Sequence, residues 1–553
     1  MMVKKNILLA LFLLGTANLY SQSGEELDRE KITEILYQHT SDESPGVAVG
    51  IVKEGRIIYE QYMGYANLDY KIKVDENTRF NIASNAKQFT ALCILKLIKQ
   101  GSLNTDDDIR QFLPGLFEDI KSKITVSDLL THTSGIRDVY GLWALKGQTW
   151  WQLFIDNEDA IELLRSQTDL NFEPGTAYLY SNSNYILLTA IIENVTGQLF
   201  SEYATELFLE LGMSDTGFLT NYMVVVPNKA RPYGNWSGWR EYPNITETHG
   251  DGALFTSLKD QLKWEQIIQL NDGENIPGKL VKDSQLPVAG SVTNQYGYGL
   301  MFDTYKGMDY AYHDGGTGAY NATFLRFPEK QLAIVVASNN ANVPTNYLAK
   351  QLADITLNLE TINTVYPAMP DRIEKLKDPR NILGSYRNEE GTIIKITEKN
   401  GLIFRKIYQR DSIRLLNEKG GLFHYETNQD LKINFTNIGT PKQKFTIYLS
   451  SQEPSTFYRL PDSNEVGFDK HDLNGSFYNV ETDTKILLES KDKHNYSIVL
   501  NGQKEQATLL LNDYLRMNDY EIKVIRDSDN KIIALSVDGD RIKNVIFNKM
   551  EKD

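Results

Sequence analysis

Phe80-Asn81-Ile82-Ala83-Ser84-Asn85-Ala86-Lys87 is the stretch on which the reading of this chain turns, because it leads into residues whose apolar positions repeat at helical spacing. Phe89, Leu92, Leu95 and Ile98 form that stripe, and Gly101 stands where a helix would end. Ser84 and Lys87, three positions apart at the start of the helix, fall on one face. A hydroxyl and an amine so placed make a nucleophile and its base, provided burial or a neighbouring cation lowers the amine's pKa. The free N–H groups of the helix start add a place for a developing oxyanion. Spacing alone is weak, since Ser490 to Lys493 and Ser528 to Lys531 repeat it in β-rich sequence.

Working outward, Pro45-Gly46 opens the apolar run Val47 to Val52, and Glu54-Gly55-Arg56 turns it into Ile57 to Met63, a β-hairpin. A mainly helical and loop region then reaches about Trp264. Strand patterns return at Tyr296 to Phe302, Met308 to Tyr312, Thr323 to Phe327 and Leu332 to Ser338. Two further motifs lie along this path. Tyr180-Ser181-Asn182 offers a phenol able to shuttle a proton and an amide able to hold a carbonyl, although Tyr-x-Asn recurs at Tyr65, Tyr233, Tyr242 and Tyr386. His313-Asp314-Gly315 follows a strand pattern, and Gly315 with Gly316 leaves room for a ligand beside the backbone.

Taken in order, these motifs resemble those of the serine β-lactamase and penicillin-binding protein superfamily, in its class C β-lactamase and D-aminopeptidase-like branch. Leu129-Leu130-Thr131-His132-Thr133-Ser134-Gly135, Glu173-Pro174-Gly175 and Gly250 to Trp264 support the resemblance, which covers residues 28–360. It implies an α+β fold in which an antiparallel sheet is flanked by helices and carries a helical subdomain. It implies that Ser84 is the acylated nucleophile, Lys87 its proton acceptor, Tyr180 a proton relay, and His313 a residue tuning Tyr180 and orienting substrate where many relatives carry lysine. Asn182, Asp314 and Gly315 would contact substrate, and the backbone N–H groups of Ser84 and Gly316 would form the oxyanion hole. His132 reads as structural.

Two prolines near Tyr366 to Pro370 interrupt the pattern, and short strands separated by Asn, Asp and Gly follow. Leu383-Gly384-Ser385-Tyr386 is echoed by Asn474-Gly475-Ser476-Phe477, suggesting two copies of a small antiparallel β-barrel-like domain over 381–460 and 473–550, after a linker at 361–380. With no catalytic constellation after Pro370, the tail is expected to fold separately and to carry no chemistry. Binding, oligomerisation or covering the cleft are its open roles.

Lys4, Lys5, the apolar run Ile7 to Leu14 and the small residues after it read as a signal peptide over 1–21, so the chain is expected to be exported to the periplasm or beyond. No later apolar run is long enough for a membrane span. The lone Cys93 excludes an internal disulfide. With 58 Lys and Arg against 73 Asp and Glu, the net charge of −15 argues against a nucleic-acid partner. Gly273 to Lys279 mimics a phosphate-binding loop, but Leu280 replaces the required hydroxyl residue. Neither a Gly-x-Ser-x-Gly elbow nor a His or Cys cluster for zinc occurs, so no metal or cofactor is implied.

The expected function is that of a serine hydrolase acting through an acyl-enzyme on an ester, amide or peptide bond. The alternatives are a catalytically weak penicillin-binding-like sensor and a class C-type β-lactamase. Histidine at 313 carries no fixed charge near neutral pH, so a free substrate carboxylate is expected to be disfavoured. Asp314 either adds a negative charge to the cleft or, at strand period two, points to the far side.

Overall fold

The computed structural model describes residues 27–551 apart from 236, 243, 271–275, 360–373, 389–391, 407–411, 427, 450–451, 461–472, 493–494, 501, 512 and 519. The leader over 1–21 and most of the linker lie outside the described residues.

A six-stranded antiparallel sheet joins the two ends of the first domain. Its order is Met301–Tyr305, Met308–Thr317, Tyr320–Phe327, Leu332–Ser338, Val47–Lys53 and Arg56–Met63. The hairpin at the start pairs with a strand read far downstream, with Ile51 opposite Ile334. Both central strands are apolar at nearly every position because both faces of the sheet are covered. Val47, Val49 and Ile51 face Leu36 of the helix Arg29–His39 and Leu348 and Leu352 of the helix Thr345–Thr356. Ala48 and Val52 face the opposite core, which contains Leu262 and Trp264 of the helix Leu258–Leu270. Gly50 lets that helix in, since a Cβ there would lie 2.4 Å from Leu262 Cδ2.

The expected strand at Tyr296 to Phe302 forms only from Met301 onward. Gly299 has a φ of +77°, and a Cβ on it would lie 2.3 Å from the backbone nitrogen of Gln88. The segment before Met301 therefore packs as a loop against the start of the helix Lys87–Lys99, which brings Tyr296 into the interior.

The helix Lys87–Lys99 packs against the helix Asn182–Thr196, and each is buried on nearly every side. A helix apolar all round belongs in an interior. The consequence is that the N-terminal ends of both helices, carrying Ser84 and Lys87 on one and Asn182 on the other, meet where the helical subdomain abuts the sheet.

Two closed antiparallel barrels follow, one from Gly384 to Arg459 and one from Gly475 to Lys549. Tyr386 opposite Arg459 closes the first, and Phe477 opposite Lys549 closes the second, so the two echoed motifs open corresponding strands. Closure removes the exposed strand edges that an open sheet would leave. The first barrel has a separate core built around Phe435, Phe445 and Phe457. The core of the second is continuous with that of the helical subdomain. No helix among the described residues is long and apolar enough to cross a membrane.

Candidate active site

The chain enters the helix Lys87–Lys99 through a single tight turn, Ala83–Ala86. Ala83 takes a φ of +47°, a region that residues with a side chain seldom occupy. Asn81 holds it there, its Oδ1 accepting from Ala83 N at 2.8 Å. Strain of this kind persists where the surroundings over-determine it. The turn presents Ser84 to a cleft of about 890 Å³ that is also bordered by Tyr180, Asn182, His313, Gly316 and Arg541.

Lys87 is fully buried and meets three groups. Its Nζ lies 3.1 Å from Ser84 Oγ and 2.9 Å from Asn182 Oδ1, and it donates to the carbonyl of Asp251. Two of these partners can only accept, whereas a hydroxyl can donate. A neutral amine therefore spends its two N–H bonds on Asn182 and Asp251 and turns its lone pair to the Ser84 proton. Burial is the main reason that the Lys87 pKa falls to about 7, with Arg541 lowering it further while Asp251 and Asp138 oppose the shift.

Asn182 is held by Asp138, whose Oδ2 accepts from Asn182 N at 2.7 Å and from Asn182 Nδ2 at 2.9 Å. The other oxygen of Asp138 accepts from Tyr140 N at 3.0 Å and caps the helix Val139–Leu145. The amide expected to meet substrate is thus engaged at both ends, and its carbonyl positions Lys87. Asp251, Tyr140 and Asp138 were not singled out from the sequence. The Tyr140 hydroxyl donates to Asp251 Oδ2 at 2.9 Å, and burial raises the pKa of Asp251. The nearest sequence sign of Asp251 was its place between two glycines in the family-like stretch.

The Tyr180 hydroxyl is buried and closes no hydrogen bond among the described residues, although its leaning toward Ser84 partly counters the burial that raises its pKa. His132, read as structural, packs against its ring at a tilt of 37° with centroids 4.3 Å apart. Its Nδ1 accepts from Ser181 N at 3.2 Å and Asn184 Nδ2 at 3.0 Å, which leaves the proton on Nε2. Burial keeps His132 neutral by lowering its pKa well below the usual histidine value.

His313 makes a different contact from the one expected. Its Nδ1 donates to the Asp314 carbonyl at 2.7 Å, which leaves Nε2 to accept from the Tyr296 hydroxyl at 3.1 Å. Both nitrogens are occupied, and the ring centroid lies 6.1 Å from that of Tyr180. Burial, reinforced by Lys87, lowers its pKa to about 3, so His313 is a neutral prop for Tyr296 rather than a direct partner of Tyr180.

Asp314 borders the cleft, but its carboxylate accepts from Thr323 Oγ1 at 2.7 Å and from Asn346 Nδ2 at 2.9 Å, on the side of the helix Thr345–Thr356. The far-side orientation holds, and a side-chain role for Asp314 toward substrate is corrected. Gly315 is corrected as well. It is buried against the nucleophile turn, where a Cβ would lie 2.2 Å from the Ile82 carbonyl oxygen. Gly315→Ala is expected to push the strand and the turn apart and to cut kcat/KM by roughly 10- to 100-fold, as an ångström of misplacement can. A variant with unchanged kcat/KM would show that this close approach does not set the geometry.

Arg541, from the second barrel, lies with its guanidinium carbon 4.8 Å from the centre of the Tyr180 ring. Of the roles left open for the tail, this placement fits covering the cleft.

The Beta-lactamase family profile matches residues 32–357. A D-aminopeptidase of Gluconobacter oxydans is 29% identical over 351 residues, which are 63% of this chain and 63% of that protein. Protein flp of Staphylococcus aureus is 28% identical over 369 residues, 61% of this chain and 67% of its own length. The chain thus spans less than two thirds of the length of the Gluconobacter protein. Among solved structures, the octameric penicillin-binding protein homologue from Pyrococcus abyssi superposes with a TM-score of 0.55 at 22% identity, over 77% of this chain and 98% of that one. SurE does so with a TM-score of 0.51 at 19% identity, over 78% and 98%. At such identities these structures speak for the fold alone, but the family profile spans the whole domain that assembles Ser84, Lys87, Tyr180 and Asn182, and by that match the chain belongs to the Beta-lactamase family.

Proposed function

We propose that this chain is an exported serine hydrolase that opens an ester, amide or peptide bond through an acyl-enzyme on Ser84. The observation that carries the reading is the set of three partners around the Lys87 amine, two of which can only accept, so that the lone pair is left for the Ser84 proton. In this mechanism Lys87 takes the Ser84 proton as Oγ attacks the substrate carbonyl, and the backbone N–H groups of Ser84 and Gly316 receive the oxyanion. Tyr180, whose hydroxyl is free of other partners, gives its own proton to the leaving group and regains one from the attacking water, while Lys87 returns its proton to Ser84 Oγ as the acyl bond opens. The D-aminopeptidase relatives support an amide or peptide substrate, and the leader-like start of the sequence supports export.

A fluorophosphonate probe followed by intact-mass and peptide mapping tests this reading. One added group on the peptide containing Ser84 is expected, and a protein that stays unlabelled would overturn it.

The pH dependence follows from Lys87. The base must be neutral, and its pKa falls from 10.5 to about 7, so kcat/KM for a non-ionising substrate should rise with pH and level off above 7. Below that point it should fall tenfold per pH unit. A profile flat from pH 5 to 9 would exclude Lys87 as the titrating base.

A further inference from the structure

Resting on that reading, we propose that Asp138 is a positioning residue for the catalytic base and that the second barrel sets its place, so that acylation of Ser84 depends on how the barrel is docked.

Asp138 is buried and stands on the turn before the helix Val139–Leu145. Both of its oxygens are spent. Oδ2 accepts from the backbone nitrogen and from Nδ2 of Asn182, and Oδ1 accepts from Tyr140 N at 3.0 Å and Gly141 N at 3.4 Å. Of the two acceptors that draw the N–H bonds of Lys87 away from Ser84, the Asp251 carbonyl is fixed by the chain, whereas the Asn182 amide can turn over. Turned over, it would set its own N–H donors against the amine. The Asp138 carboxylate, which can only accept, therefore decides that Oδ1 of Asn182 faces Lys87.

The second barrel grips the turn that carries this carboxylate. Its grip comes from the loop between the strands Ile532–Asp538 and Val545–Lys549. The buried N–H of Asp138 finds its partner there, donating to the Arg541 carbonyl at 3.3 Å, and Arg541 Nη1 lies 3.8 Å from Asp138 Oδ2. The preceding residue, Arg137, donates to the carbonyls of Lys543 and Asn544. Ile542 is buried, and a Cβ on Gly141 would lie 2.9 Å from its Cγ2. Asn171 clamps the loop, its Nδ2 donating to the Arg541 carbonyl at 3.2 Å and its Oδ1 accepting from Lys543 N at 2.7 Å. Within the first domain the same turn is tied to the helix Asn182–Thr196, since Ser183 Oγ donates to the Arg137 carbonyl at 2.7 Å and accepts from Val139 N at 2.9 Å. The turn thus joins the barrel loop to the helix that starts with Asn182, and a shift of the loop is passed to the amide beside Lys87.

The test follows fluorophosphonate acylation of the full chain over a range of probe concentrations, with the rate expressed per molecule that labels at the endpoint, so that loss of folded protein does not enter. Asp138→Asn is expected to lower the maximal acylation rate roughly 10- to 100-fold while the half-saturating concentration stays within about twofold, because the base is misplaced and the probe's own contacts are not. Asn171→Ala, which removes only the clamp on the loop, should lower the same maximal rate about 3- to 10-fold. The double variant should be no slower than Asp138→Asn, because the barrel acts through that carboxylate. Should Asp138→Asn fail to fold, Asn171→Ala carries the test alone. Either single variant at the wild-type rate, or effects that multiply in the double variant, would overturn the proposal while leaving Ser84 as the nucleophile. Wild type that stays unlabelled would overturn the hydrolase reading and this proposal together.

Discussion

Ser84→Ala is expected to abolish covalent labelling and to lower hydrolysis by roughly 10⁴-fold or more, since the loss of a nucleophile removes the covalent route altogether. Lys87→Ala should lower the acylation rate by about 10²- to 10⁴-fold, the range over which a positioned base contributes. The two variants differ in what they do to the fold. The Ser84 hydroxyl faces the open cleft, so its removal should leave stability nearly unchanged. Removing the Lys87 amine leaves Asn182 Oδ1 and the Asp251 carbonyl without their shared donor in a buried place, at a cost of about 1–3 kcal/mol each. Lys87→Ala should therefore unfold at lower denaturant than wild type, and Ser84→Ala should not. Labelling of Ser84→Ala at the wild-type rate would remove this serine from the mechanism. Labelling of a folded Lys87→Ala at that rate would remove its base.

How much of this was legible in the sequence follows from how local each signal is. Ser84 and Lys87 share one turn of helix, so their spacing already fixes their meeting. The central strands announced themselves as unbroken apolar runs, and the two barrels by alternation and an echoed motif at corresponding strands. The misreadings concern partners brought from a distance. Tyr296 looked like the start of a strand, yet the close approach of Gly299 to Gln88 bends the segment into the site, where Tyr296 takes a nitrogen of His313, the residue expected to tune Tyr180. Period two left Asp314 with two possible faces, and only Asn346 on a later helix decides between them. Arg541 had no local mark at all, because its meaning comes from how one barrel docks on another domain. The hold that Asp138 keeps on Asn182 is of the same kind.

That docking rests on a buried ion pair, and breaking it is expected to have the largest effect on stability. Arg137 is 1% exposed, and its Nη1 donates to Glu481 Oε2 of the second barrel at 2.8 Å. Its remaining donors serve the carbonyls of Lys543 and Asn544 at 3.1 Å each, in the loop that carries Arg541. Glu481 Oε1 in turn accepts from Thr168 N at 2.8 Å and Thr168 Oγ1 at 2.6 Å. An ion pair this well satisfied gives modest net stability over an apolar replacement, but removing one partner strands a buried charge at a cost of about 3–5 kcal/mol. Glu481→Ala is therefore expected to separate unfolding into two transitions, the second barrel melting first as the loop that carries Arg541 loses its anchor. Replacing both residues with methionine removes the stranded charge, so the double variant should be more stable than Glu481→Ala even though it lacks more hydrogen bonds. Denaturant unfolding followed by near-ultraviolet circular dichroism, with limited proteolysis of the linker, reads both effects. A single transition at the wild-type midpoint in Glu481→Ala would mean that apolar packing around Ile542 alone holds the barrel in place, and that the ion pair only selects its orientation.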